Sequence, residues 1–508
     1  MKIEPSVTDL RRTAFGRRPG ASVLTAALLT STMASAAEPD FAAIGAYVEA
    51  QRVAENIPGL AVAIVGGDGT VYLAGFGVAD ATGKPVASNT PFILGSTSKS
   101  FTALAVMQLV EAGRVQLDAP VQRYLPWFRV ADEKASAAIT VRHLLNQTSG
   151  LSTSAGRRTL TDFSSGDDAL ENRVRRLRDV ALTAPVGTTY QYSNCNYQAL
   201  GSIVEKVSGQ GYESYMAEHV FAPLAMNRTF TSKEQAVENG LAIGHRTWFD
   251  HALAFDEPVP RASVPQGFII STAQDMSHYL VAQLNGGRYG DVSVLSPAGT
   301  EELHHGVARE GDGDTYYAMG WNAGTVAGEK AVWHEGDTFG YQSFMVLLTD
   351  ARWGVAVLSN VNDIPANSRF EEIGFSVAGM LVGKAPTTEH VHDSDLAHAF
   401  FLGIVALQLI GMARTVSLLR RWRRDPATRP TGTAAIVFRV ALPSVVNLLW
   451  GIAIFIGLPS AFVSFQTLTW AVPDIGYLLL ASGAIALACS AIRAGLLYPL
   501  LRQPARAN

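Results

Sequence analysis

The chain has 508 residues and a formal net charge of −4, so it can bury a large core and form more than one domain. This near balance of charge lacks the basic excess that nucleic-acid binding requires, and we expect no nucleic-acid partner. The two cysteines, Cys195 and Cys489, fall in separate parts of the chain, so no internal disulfide is expected.

The first 36 residues have the pattern of an export signal. Arginines between Arg11 and Arg18 precede a short apolar run, and an Ala-x-Ala cleavage pattern follows at Ala34 and Ala36. Because the apolar run is short for a bilayer-spanning helix, a cleaved signal peptide over residues 1–36 is favoured over an uncleaved anchor.

Residues 38–383 mix strand and helix patterns and are predicted to form one domain. The stretch GLAVAIVGGDGTVYLAGFGVAD predicts a hairpin around a glycine turn, and GYQSFMVLLTD with GVAVLSN predicts a second, late hairpin. Helical patterns lie between them, at residues 101–112, 197–207 and 273–284. Strands from distant segments with helices between them predict an α+β domain with a helical insert.

A polar linker over residues 384–395 leads into a predicted membrane region, residues 396–508. Its apolar segments, 396–419, 440–458 and 475–492, are each near bilayer length, which predicts three transmembrane helices. The loop RRWRRDPATRP separates the first two, whereas the next loop has no Lys or Arg. The positive-inside rule therefore predicts a multi-pass cell-membrane protein. Its domain over residues 38–383 is predicted to lie outside the cytoplasm, in a periplasmic or extracellular position.

The stretch GSTSKS contains Ser96 and Lys99, three residues apart at the start of a predicted helix. That spacing places both side chains on one helix face, and burial would lower the pKa of the lysine until it can take the serine proton. Ser-x-x-Lys also occurs by chance, with the serine as a helix cap and the lysine in solvent. The chain has no Gly-x-Ser-x-Gly elbow, which argues against an α/β-hydrolase serine.

Two later motifs add groups that suit the same chemistry. YQYSNCNYQALGSIVEKVSG contains Tyr192 and Asn194, and WHEGDTFGY contains His334 and Gly336. A tyrosine can carry a proton to a leaving group, an asparagine amide can hold a substrate carbonyl, and a glycine lets substrate lie along a sheet edge. The alternative interpretations are a core tyrosine, a helix cap and a structural histidine at a strand end.

With these motifs in this order, the sequence resembles the penicillin-recognising serine hydrolases: class C β-lactamases, DD-peptidases, D-aminopeptidases and related esterases. The resemblance covers about residues 41–383 and includes TVRHLLNQTSGL and GFIISTAQDMSHYLVAQLNGG. It implies a β-lactamase-like antiparallel sheet flanked by helices, and an acyl-enzyme mechanism with no metal and no organic cofactor. It also implies a role for each motif residue: catalytic Ser96, Lys99 and Tyr192, substrate-binding Asn194, His334 and Gly336, and an oxyanion hole from the N–H groups of Ser96 and Asp337.

The third motif departs from the family pattern. Class C β-lactamases usually have Lys-Thr-Gly where this chain has His334, Glu335 and Gly336, and a His-x-Gly form is more similar to certain DD-carboxypeptidases and D-aminopeptidases. Glu335 removes a hydroxyl donor, and histidine loses its charge near pH 6.5 unless its surroundings move it. Carboxylate-bearing β-lactams are therefore expected to be poor substrates at neutral pH.

The sequence thus predicts a membrane-anchored serine hydrolase that acts on a small molecule or peptide, with D-amino-acid peptides or related amides favoured. One alternative is a carboxylesterase or weak β-lactamase. Another is a β-lactam or cell-wall sensor that stays acylated, although a full set of motifs favours an enzyme because a sensor needs no efficient deacylation. His390 and His392 in the linker are expected to be solvated and not to bind metal.

Overall fold

The computed structural model of the protein describes residues 38–67, 69–363, 367–387, 393–430, 432–461 and 464–501. The predicted signal peptide, residues 1–36, lies outside the described residues, as do His390 and His392 of the predicted linker. The first apolar helix begins at Asp393, inside the stretch predicted as linker.

The helices and strands follow one another along the whole described chain. The strands are β1 Gly59–Gly66, β2 Gly69–Gly77, β3 Phe92–Ile93, β4 Gly244–Trp248, β5 His251–Phe255, β6 Ile270–Ser271, β7 Arg288–Tyr289, β8 Val292–Ser293, β9 Ala308–Arg309, β10 Tyr316–Tyr317, β11 Asn322–Val326, β12 Glu329–Asp337, β13 Gln342–Leu348, β14 Trp353–Ser359 and β15 Val361–Asn362. The α-helices are α1 Phe41–Ala54, α2 Ser98–Glu111, α3 Glu133–Ala138, α4 Val141–Leu145, α5 Thr153–Arg157, α6 Ala169–Arg175, α7 Asn194–Ser208, α8 Tyr212–Met216, α9 Lys233–Glu238, α10 Val264–Gly267, α11 Ala273–Leu284, α12 Pro297–His304, α13 Asn367–Leu381, α14 Asp393–Arg424, α15 Thr433–Ile436, α16 Leu442–Ile452, α17 Leu458–Ala461, α18 Phe465–Ala471 and α19 Pro473–Leu501.

The central sheet has eight strands in the order β2-β1-β14-β13-β12-β11-β10-β9, with every neighbouring pair antiparallel. Both predicted hairpins are present, and β1 of the first pairs with β14 of the second, Leu60 opposite Ser359. The sheet is therefore built from the two ends of the domain, which confirms the predicted α+β arrangement.

Helices cover both faces of the sheet, which explains why β1 is apolar throughout instead of alternating. Since successive strand residues point to opposite faces, Ala61, Ala63 and Val65 join a core with the helical insert and α2, α7 and α11. Leu60, Val62 and Ile64 join a second core with α1 and α13. Helix α2 lies inside the first core, buried over most of its length, and it carries the predicted Ser-x-x-Lys motif into the centre of the domain.

Among the residues that the structure describes, three helical segments after the domain are long and apolar enough to cross a membrane: Leu396–Arg424, Thr433–Gly457 and Pro473–Gly495. They overlap the three predicted segments, and α19 packs against both α14 and α16. The short helix α18 joins the second span to the third. The starts of α14 and α19 meet where His398 Nε2 lies 2.7 Å from Asp474 Oδ2.

Candidate active site

The GSTSKS stretch forms a 3₁₀ turn, Gly95–Thr97, that leads directly into α2. Three of its four hydroxyls have partners in the backbone. Thr97 and Ser100 donate to backbone carbonyls at 2.9 and 2.8 Å, and Ser98 accepts from a backbone N–H at 3.1 Å. Ser96 is the partly exposed one and lines a cavity, so it is the hydroxyl available to a substrate.

Lys99 is fully buried one turn further along. Its Nζ donates to Ser96 Oγ at 2.9 Å and to the backbone carbonyl of Gln266 at 2.6 Å. Burial lowers the pKa of Lys99 well below its ordinary value, and the negative charge of Glu335 opposes this shift only in part. A neutral amine beside a serine hydroxyl can act as a general base.

Tyr192 lies beside the lysine, with Lys99 Nζ 4.8 Å from its ring centroid. Burial raises the pKa of Tyr192 well above its ordinary value, while a hydrogen bond with Ser96 acts in the opposite direction. The phenol therefore keeps its proton at neutral pH and can donate it. Asn194 begins α7 and lines the same cavity, and its buried Oδ1 has no hydrogen-bond partner within the described part of the chain.

The end of β12 lies directly against the Ser96 turn because two glycines permit it. A β-carbon on Gly336 would lie 2.1 Å from the carbonyl oxygen of Leu94 and 3.1 Å from the backbone nitrogen of Ser96. A β-carbon on Gly95, whose φ is +57°, would lie 2.4 Å from the backbone nitrogen of Asp337. The backbone N–H groups of Ser96 and Asp337 are therefore brought close together, as a site for a developing oxyanion requires.

His334 is also brought next to this group, but it is fully buried. Its Nδ1 lies 2.5 Å from the backbone oxygen of Glu335, and its Nε2 lies 3.4 Å from the hydroxyl of Tyr317. Burial above all lowers the pKa of His334 to about 3. The expectation of a histidine that titrates near pH 6.5 therefore does not hold: His334 is neutral throughout the physiological range and has no surface open to the cavity.

Four carboxylates lie close enough at this end of the sheet to repel one another, and the sequence analysis did not group them. They are Glu310, Glu335, Asp337 and Glu371. Burial, followed by repulsion from the other three, raises the pKa of Glu371 to about 8. Glu335 accepts a hydrogen bond from Asn322 Nδ2 at 3.0 Å and does not contact the His334 ring through its side chain. The group comes from three separate segments, so only Glu335 and Asp337, which share one motif, could be noticed together in the sequence.

A cavity of about 370 Å³ opens beside Ser96, between the helical insert and the end of β12. Glu257, which no motif pointed to, lies in its wall and is almost fully buried. Its carboxylate accepts from Thr338 Oγ1 at 2.7 Å and from the backbone N–H groups of Phe339 and Gly340 at 2.8 Å each. Burial raises the pKa of Glu257 to about 7. Glu257 thus fixes the turn that follows Asp337.

Comparisons with known proteins agree with this geometry. The chain is 32% identical over 345 residues to "Penicillin-binding protein 4" of Amycolatopsis lactamdurans, a match that spans 66% of this chain and 88% of that protein. It is 30% identical over 327 residues to "Unguisins hydrolase ungD'" of Aspergillus campestris, spanning 60% of this chain and 59% of that one. The solved "octameric penicillin-binding protein homologue from Pyrococcus abyssi" superposes with a TM-score of 0.61 at 27% identity, over 72% of this chain and 81% of that structure. The family model named Beta-lactamase matches residues 44–373, and the chain belongs to this family of penicillin-binding-protein-like serine hydrolases.

Proposed function

We propose that the protein is a membrane-anchored serine hydrolase that works outside the cytoplasm through an acyl-enzyme on Ser96. The observation that carries this proposal is the fully buried Lys99, with its Nζ 2.9 Å from Ser96 Oγ and its pKa lowered by burial. Lys99 forms no salt bridge with any residue that the structure describes. A buried ammonium without such a partner is costly to keep charged, so its position is best explained by a role for the neutral amine.

In the proposed reaction, neutral Lys99 takes the proton from Ser96 Oγ as that oxygen attacks the substrate carbonyl. The N–H groups of Ser96 and Asp337 stabilise the negative charge that develops on the carbonyl oxygen. Tyr192 gives its proton to the leaving amine or alkoxide and regains one from the Lys99 ammonium. Water then attacks the acyl-enzyme with the same groups in reverse, which frees the acid and restores the Ser96 hydroxyl.

D-amino-acid peptides or related amides remain the favoured substrates. His334 is uncharged, and four carboxylates lie near the end of β12, so this side of the site is unsuited to a substrate carboxylate. A substrate with a neutral or cationic group there is therefore expected, and a relative with a similar sequence is named a hydrolase. Carboxylesterase activity is a second candidate, since much of the cavity wall is apolar.

Labelling with a fluorophosphonate probe, followed by a panel of D-aminoacyl amides, neutral esters and penicillins, tests this proposal. We expect the wild-type protein to label stoichiometrically and turn over neutral amides or esters faster than penicillins, and Ser96→Ala to do neither. Ser98→Ala is the matched control, because that hydroxyl binds backbone. Full labelling of Ser96→Ala would assign the nucleophile elsewhere, and labelling without any turnover would favour the sensor alternative.

A further inference from the structure

The membrane region contributes to the wall of the candidate active site. Leu468, Ala471 and Val472 belong to α18 and the residue after it, and they line the same cavity as Ser96. Helix α18 connects the second apolar span to the third, so the cavity lies between the hydrolase domain and the end of the membrane helices. This wall cannot be inferred from the family domain alone, because the family match ends at residue 373.

Helix α18 is fixed to the domain by an aromatic cluster. The Trp470 ring lies 5.2 Å from Phe163, 5.1 Å from Phe255 and 5.4 Å from Phe339, measured between centroids. Arg246 also donates to the backbone oxygen of Thr469 at 3.4 Å. These contacts come from three separate segments of the domain. They hold α18 in a fixed position in the cavity wall.

A second set of contacts holds the following helix in place. The backbone N–H of Phe249, in the turn between β4 and β5, donates to Asp474 Oδ2 at 2.8 Å. Trp248 packs on Tyr477 with centroids 5.9 Å apart. The domain therefore rests on the end of the bundle where α19 begins, which is also the end that carries α18.

The cavity that α18 helps to line has a mostly apolar wall, beside which Arg157, Asn362 and Thr467 supply polar groups. Its apolar lining residues are Leu160, Phe268, Phe339, Leu468, Ala471 and Val472. Glu257 is the buried charge there, and its oxygens already accept from Thr338, Phe339 and Gly340. Water in such a space finds few partners, whereas an aliphatic chain gains by leaving water.

We propose that α18 forms an acyl-chain subsite, and that the substrate is a membrane amphiphile whose aliphatic chain lies against Leu468, Ala471 and Val472. Its ester or amide carbonyl then faces Ser96, and its polar remainder lies toward Asn194 and Asp337. This assignment rests on the proposed function of Ser96 as the nucleophile. The bilayer is the source of such a ligand, because the subsite is built from the segment that links two membrane spans.

The kinetic test uses the full-length protein in lipid nanodiscs with p-nitrophenyl acetate, butyrate and octanoate. Each methylene that reaches the subsite should raise kcat/KM about three- to fourfold. Leu468→Gln should lower the octanoate-to-acetate ratio of kcat/KM by at least about tenfold, since it places an amide in the apolar wall. A second variant, Ala471→Leu, fills the subsite with apolar atoms and should shift the preference toward butyrate.

Gln466→Ala is the matched control, because Gln466 is exposed on the same helix and does not line the cavity. It should leave the chain-length ratio unchanged. A wild-type ratio that does not rise with chain length, or one that neither Leu468→Gln nor Ala471→Leu alters, overturns the proposal.

A photolabelling experiment separates this inference from the proposed function. A decyl amide with a diazirine at the end of its chain, irradiated with the protein in nanodiscs, should label residues 465–472 in a peptide map, and excess unlabelled decyl amide should suppress the label. Labelling of these residues without any ester or amide hydrolysis would contradict the hydrolase proposal but would still support a binding site for an aliphatic chain at α18. Hydrolysis with the label confined to other segments would sink the subsite.

Discussion

Lys99 has no solvent-exposed surface, so its ammonium form would exchange full hydration for two hydrogen bonds and the distant charge of Glu335. An arginine at this position could not serve as a base, since guanidinium does not lose its proton at ordinary pH. We expect Lys99→Arg to lower kcat/KM by at least about 10²-fold in a steady-state assay with the best neutral ester or amide. The exposed Lys330→Arg is the control, and a Lys99→Arg rate within about tenfold of wild type would exclude the base role.

The pKa shifts of Lys99 and Tyr192 also predict the shape of the pH–rate profile. The active form has Lys99 neutral and Tyr192 protonated, so kcat/KM should rise as pH passes the lowered pKa of Lys99. It should then stay level into the alkaline range, because the pKa of Tyr192 is raised well above 10.0. His334 should add no step near pH 6.5. A value of kcat/KM that still rises up to pH 10.5, the ordinary pKa of lysine, would show that the pKa of Lys99 is not lowered.

Strand β12 places its last residues against the Ser96 turn, and this contact leaves no room for a side chain at Gly336. Its β-carbon would meet the carbonyl oxygen of Leu94 at 2.1 Å, and backbone atoms cannot rotate away. Gly336→Ala should therefore move β12 from the turn, destabilise the fold by about 1–3 kcal/mol and abolish esterase activity. Gly69→Ala, where a β-carbon meets no atom within 4 Å, is the control for thermal unfolding and rate. An active, fully stable Gly336→Ala would refute the close approach.

Glu257 makes the stability of the turn after β12 depend on pH. Its folded pKa of about 7 lies above the usual 4.5, so the folded state binds this proton more tightly than the unfolded state. Its contribution to the free energy of unfolding is therefore greatest below pH 4.5 and is lost as pH rises through 7, by on the order of 3 kcal/mol. Glu257→Gln should show a smaller fall in melting temperature between pH 5 and 8.5 than wild type. Equal falls in the two proteins would contradict this assignment.

Local patterns were enough to predict the elements that carry the motifs. The hairpins follow from apolar runs around turns, and the Ser96–Lys99 pairing follows from helical spacing, so both could be read from short windows of sequence. The burial of His334 could not, because it depends on Tyr317 and Tyr192 closing over the ring. The hydrogen bond from Lys99 to the backbone carbonyl of Gln266 could not be predicted from the sequence either, since any residue type can supply a backbone acceptor.

The hydrolase domain packs on the end of the membrane helices where α19 begins and α18 lies. The arginine cluster in the last turns of α14 is at the opposite end of that helix, so the positive-inside rule predicts the domain outside the cytoplasm. A reporter active only outside should be on when fused after residue 395 or near Pro473, and off when fused near Asp425 or at the C-terminus. The reverse pattern would place the domain in the cytoplasm, and any mixed pattern would break the three-span topology.

The pairing of Leu60 with Ser359 has a consequence for biosynthesis. Strand β1 leaves the ribosome long before β14, its partner on the inner side of the sheet, and closing so long a loop is slow. During that interval β1 is an apolar segment with an open edge, which favours aggregation. For the proposed topology, translocation in an extended form would carry β1 across the membrane before its open edge meets a wrong partner, whereas export after folding would leave that edge open until synthesis had passed Ser359.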